Sequence, residues 1–169
     1  MLERHIVNSN SCYILFCGER LNRTAHVILG VGISIFIISR LFSPLQAFQI
    51  PFIVLGGGIG SIFPDLDRKR GHRKILHNIF SMFFFSMLFF MASLYLKIPL
   101  IIPVSFFLGY VSHLLGDMMT YRGVALLYPF KSNYYRSPLV IGRSEDLGVN
   151  LLGIVLGVIL MFFGITGLK

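Results

Sequence analysis

Five histidines and seven acidic residues are spread through 169 positions, and seven of these twelve side chains occur in short groups whose types and spacing suit metal chemistry. His113 and Asp117 stand four apart, so on a helix they share one face about a turn apart and can address one ion. Asp65 and Asp67 follow Pro64 in a short loop that brings both carboxylates to one site if it curves around it. His72 and His77 are five apart, a spacing that does not put them on one helical face. A helix is therefore expected to start between them, with His72 in the loop and His77 in its first turns. His26 arrives from another segment. Imidazole nitrogens and carboxylate oxygens without a thiolate suit Zn, Mn or Fe, with zinc the first choice and one or two ions per chain.

The elements that must hold these groups are apolar. Hydrophobic residues make up 55% of the chain, charged ones 13%, and the mean hydropathy is +0.77, which excludes a disordered chain and disfavours a soluble globule. Apolar stretches span residues 25–39, 45–63, 75–96, 98–119 and 147–168, each near the ~20 residues a helix needs to cross a hydrocarbon core. The expected fold class is an all-α integral membrane bundle of about five helices, four or five crossing, because Arg40 makes the first segment marginal. The whole chain reads as a single domain, residues 1–169, with residues 1–22 as a cytoplasmic N-terminal extension. Glycines 56, 57, 58 and 60 in the second segment, with Gly153 and Gly157 in the fifth, read as close helix packing.

Net charge is +8, and its distribution explains it. In a five-crossing topology Arg4, Arg20, Arg23, Arg68, Lys69, Arg70, Arg73, Lys74, Arg122, Lys131, Arg136 and Arg143 share one side, against Arg40, Lys97 and Lys169 on the other. The positive-inside bias then predicts a cytoplasmic N-terminus in a bacterial inner membrane, and no nucleic-acid partner is needed to account for the charge. Cys12 and Cys17 are expected to be free thiols in a reducing compartment, and no signal peptide is evident. The same topology places His26, Asp65, Asp67, His72, His77, His113 and Asp117 all at the cytoplasmic interface. Ionisable groups beside membrane helices are expensive unless paired or functional, so this convergence predicts a polar site that a metal ion would hold together.

The motif order also resembles a family. Thr-x-His at residues 24–26, Pro-Asp-x-Asp at 64–67, His-Arg-x-x-x-His at 72–77, Ser-His-x-x-x-Asp at 112–117 and the run from Thr120 to Pro129 resemble the YdjM-like inner-membrane, metal-dependent hydrolases over residues 24–129. The resemblance implies a membrane-bound hydrolase with a divalent metal, and His26, Asp65, Asp67, His72, His77, His113 and Asp117 as the positions matching the family's His/Asp set.

The resulting expectation is metal-assisted hydrolysis at the cytoplasmic face, with membrane lipids as surroundings and a lipid or phosphoester as substrate. Asp65, Asp67, His113 and Asp117 are the core ligands in this reading. His72 serves as ligand or as acid/base, and Arg73, with Arg122, holds an anionic oxygen. The loop of residues 120–146, rich in Tyr, Phe, Lys and Arg, is expected to lie over the site together with residues 64–74. The alternatives are a divalent-metal or proton-coupled transporter, for which the Gly56–Gly60 run with Pro51 would be a broken helix, and a scaffold with a structural metal.

Overall fold

The computed structural model describes residues 9–42, 45–67, 74–144 and 146–166; for residues 9–22 and 67 it describes the backbone alone. Its elements are α1 (Ser9–Leu41), a 3-10 turn (Ala47–Gln49), α2 (Ile50–Ile62), a second 3-10 turn (Phe63–Asp67), α3 (Ile79–Tyr95), α4 (Ile101–Met118) and α5 (Leu147–Thr166). Among the described residues there is no strand, only isolated bridges between Thr120 and Gly142 and between Val124 and Tyr135. The protein is an all-helical membrane bundle.

Among the described residues, four stretches are long and apolar enough to cross a bilayer: Arg23–Leu41, Ala47–Leu66, Ile101–Met118 and Leu147–Thr166. The third apolar segment is shorter than its hydrophobic run suggested. It yields a 17-residue helix, about 25 Å at 1.5 Å per residue against a hydrocarbon core of about 30 Å. Its start is displaced by capping: Asn78 is extended, its Oδ1 accepts from the Ser81 N–H at 2.8 Å, and its Nδ2 donates to the Lys74 and Ile75 carbonyls. A side chain that satisfies the orphan amides of a first turn outweighs the apolar residues 75 and 76 preceding it. His77 consequently lies before the helix, not in its first turns as its neighbours implied.

The first helix departs in the other direction. It runs without a break from Ser9 through Arg40 to Leu41, and the exposed Arg40 guanidinium lies 5.4 Å from the centroid of the Phe36 ring, a placement that lets its charge reach the helix end. In α2, Pro51 stands in the first turn, where a missing N–H interrupts nothing, and the helix is regular through the glycine run. The broken helix that a midplane transport site would use is not formed there.

Small residues set the packing. A Cβ on Gly109 would lie 2.2 Å from the Gly57 carbonyl oxygen, and one on Gly60 would lie 2.1 Å from the Phe106 carbonyl oxygen, so α2 and α4 meet backbone to backbone. Gly32 and Gly157 do the same for α1 and α5. Buried serines line these seams, with the Ser34 hydroxyl donating to the Gly30 carbonyl and the Ser61 hydroxyl to the Gly57 carbonyl, each at 2.7 Å. Lipid is as apolar as leucine, so close backbone approach supplies the packing energy that water exclusion supplies in soluble proteins. Residues 120–144 close one end: Ser137 N donates to Met118 O and Ile141 N to Met119 O, while Val124 and Ala125 are buried.

Candidate metal centre

Four elements deliver their polar residues to one end of the bundle. His26 comes from α1, Asp65 from the 3-10 turn after α2, His77 from the residues before α3, and His113 with Asp117 from the last turns of α4. All five are buried, His77 and His113 completely. The His77 Nε2 lies 3.5 Å from Asp117 Oδ2 and 3.8 Å from Asp65 Oδ1; the His113 Nε2 lies 3.6 Å from Asp65 Oδ1 and 3.7 Å from Asp117 Oδ2. His26 Nε2 approaches Asp117 Oδ1 to 3.5 Å, and its ring stacks on that of His113 with centroids 4.2 Å apart. Among the described residues two overlapping groups result that could hold a metal ion, His26/His113/Asp117 and Asp65/His77/His113.

One hydrogen bond determines how His113 faces this cluster. Its Nδ1 lies 2.6 Å from the carbonyl oxygen of Ser61, and a carbonyl can only accept, so Nδ1 carries the proton. In the neutral ring Nε2 is then left with its lone pair, as in metal-ligating histidines oriented by a carbonyl. That atom is buried, has no hydrogen-bond partner among the described residues, and is aimed at two carboxylate oxygens. Acceptor facing acceptor is unfavourable unless a proton or a metal cation lies between them. Two atoms each about 2.0–2.2 Å from a tetrahedral ion are about 3.3–3.6 Å apart, close to the separations found here, so the donor set fits a divalent ion. Because His113 Nε2 offers a single lone pair, the two groups cannot each take their own ion through that atom.

Several neighbours hold the ligands in place and carry no signal in the sequence that marks them. The Tyr110 hydroxyl donates to the Leu76 carbonyl at 2.6 Å and pins the segment that presents His77. Gly116 leaves room for the His26 ring: a Cβ there would lie 2.9 Å from Cε1 and 3.2 Å from Nδ1. Ser61 contributes through its backbone, which residue type does not encode.

Of the seven residues the sequence singled out as ligands, the structure brings five together. The backbone of Asp67 ends the 3-10 turn beside Asp65, but its side chain lies outside the described residues, as do His72 and Arg73 entirely. Arg122 is exposed, two residues beyond the buried Thr120.

Fold and site together define a class: an integral membrane helical bundle with a buried His/Asp cluster at one end. The chain belongs to the YdjM inner membrane protein family, whose match covers residues 21–168. It is similar to the "Inner membrane protein YdjM" of Escherichia coli (strain K12) and of Shigella flexneri, in each case 34% identical over 102 residues, 57% of this chain and 49% of the relative. The matched region therefore spans about half the length of those relatives. No solved structure matches the chain.

Proposed function

We propose that this protein is a membrane-embedded, metal-dependent hydrolase whose centre faces the cytoplasmic interface and acts on a phosphoester of a lipid-linked substrate. The observation that carries the reading is the His113 lone pair directed at two buried carboxylates while its other nitrogen is committed to Ser61. His26, Asp65, His77, His113 and Asp117 would hold the ion, with zinc best suited to this mixed nitrogen and oxygen set. When bound, such an ion supplies Lewis acidity and a water acidic enough to act near neutral pH.

The remaining roles fall to the chain itself. His72 takes or returns a proton near the reacting group, Arg73 and Arg122 orient an anionic oxygen, and the packed residues of 120–146 limit water at that end. A structural ion is the second reading, favoured by the near-complete burial of every described ligand. Elemental analysis of the detergent-purified chain and hydrolysis of phosphatidylglycerol and of a soluble aryl phosphate separate the two. The proposal expects a transition metal in the wild type, metal retained in Arg73→Ala, and turnover in that variant reduced by about a hundredfold, as for loss of one charge-stabilising donor. Metal without turnover of any phosphoester, together with a loss of thermal stability on chelation, would leave the structural reading. Absence of metal after reconstitution with Zn, Mn and Fe would end both.

A further inference from the structure

Away from the His/Asp cluster, α3 and α4 flank a groove of about 250 Å³ lined by Phe83, Ser86, Met87, Pro103, Val104 and Phe107. Its outer rim, Phe83 and Met87, is exposed on the lipid-facing surface, while Pro103 at its floor is buried. One polar group breaks this apolar lining. The Ser86 hydroxyl is buried, with the residue 8% exposed, and has no hydrogen-bond partner among the described residues. Other membrane serines here bond back to the carbonyl of the preceding turn: Ser34 to Gly30, Ser61 to Gly57 and, on the same helix, Ser93 to Phe89. Ser86 does not. A hydroxyl left this way inside an apolar groove calls for an acceptor that enters with a ligand.

We propose that this groove binds the acyl chain of an ester-linked phospholipid, with Ser86 donating to an ester oxygen and the headgroup directed along α3 and α4 toward the metal centre. Bulk decides between a lipid and a second helix. Where described helices touch closely, as at Gly32 against Gly157, Gly60 against Phe106 and Gly109 against Gly57, a glycine lets the facing backbone approach; the groove offers no glycine, and Phe83, Met87 and Phe107 leave a slot suited to a flexible hydrocarbon. The groove also shares two helices with the site. Ser86 lies seven residues into α3, about 10 Å along the axis from the end where His77 sits, and α4 carries Phe107 in the groove and Asp117 in the centre. The headgroup part of the proposal rests on the hydrolase reading; the chain-binding part does not.

The test uses the full chain in nanodiscs of phosphatidylethanolamine and phosphatidylglycerol, with phosphatidylglycerol bearing a diazirine in one acyl chain as the probe and mass spectrometry of labelled peptides as the readout. The exposed face of α5, with Val155 and Phe162, reports ordinary surrounding lipid. Groove peptides should be labelled at least about threefold above α5 peptides, and Ser86→Ala should lower that excess by about threefold, the worth of one hydrogen bond within a membrane. Ser86→Phe, which fills the slot, should bring the two to parity. Equal labelling in the wild type, an excess that survives Ser86→Ala and Ser86→Phe, or cross-links between α3 helices of two copies would each overturn the proposal. If Ser86→Phe does not fold, Ser86→Ala carries the comparison. Labelling needs neither metal nor turnover, so the two readings fail separately: groove labelling without turnover of either phosphoester ends the hydrolase, and hydrolysis of the soluble aryl phosphate with equal labelling ends the groove.

Discussion

Asp117→Asn should reverse the order of stability depending on whether metal is present. Asp117 reaches all three described histidines of the centre, at 3.5 Å from His26 and His77 and 3.7 Å from His113. It also lies close to the other buried acid, since Asp65 and Asp117 both contact His113 Nε2, which puts these oxygens no more than about 7 Å apart. At an effective dielectric of about 20, two carboxylates at that separation repel by about 2 kcal/mol. With the ion removed, the asparagine variant loses this repulsion and should be more stable than the wild type by about 1–2 kcal/mol. With the ion present, the wild type gains linkage energy, about 4 kcal/mol at a thousand times Kd, which the variant largely forfeits. For a domain of this size 1 kcal/mol moves Tm by about 2–4 °C. Thermal denaturation in one detergent, with and without a chelator, should therefore show the two melting curves crossing: wild type higher with zinc, variant higher without it. A variant less stable under both conditions would refute the reasoning, because the paired acids would then be stabilised by something other than a metal ion.

Two further substitutions separate ligand placement from packing. Gly116→Ala should lower metal affinity by about 10–100-fold, the usual effect of disturbing what orients a ligand, because its Cβ displaces the His26 ring; metal-free stability should hold or rise, since alanine favours a helix by about 1 kcal/mol. Isothermal titration with zinc and chelated melting curves check both. Gly109→Ala pushes on the Gly57 backbone and not on a movable side chain, so it should cost at least about 1–3 kcal/mol and shift detergent-solubilised protein toward aggregates on size exclusion, whereas Gly148→Ala, with nothing within 4 Å of its added Cβ, should leave the profile unchanged.

The sequence alone carried the membrane character, the helical class and the clustering of acids and histidines at helix ends, because hydrophobic length and the exclusion of charge from hydrocarbon are properties of composition along the chain. The four-residue step between His113 and Asp117 was likewise legible, since helical periodicity places both on one face whatever surrounds them. Other features depended on atoms that no local pattern specifies. Asn78 competes with an apolar run and moves the start of α3 past His77. The first helix extends back to Ser9 through residues that composition marks as polar. The tautomer of His113 is decided by a backbone carbonyl 52 positions away, and room for His26 is decided by the absence of a side chain at Gly116. Spacing can place a residue on a face, but which lone pairs converge was decided only when α1, α2 and α4 packed through their glycines and brought both His26 and Asp65 against His113.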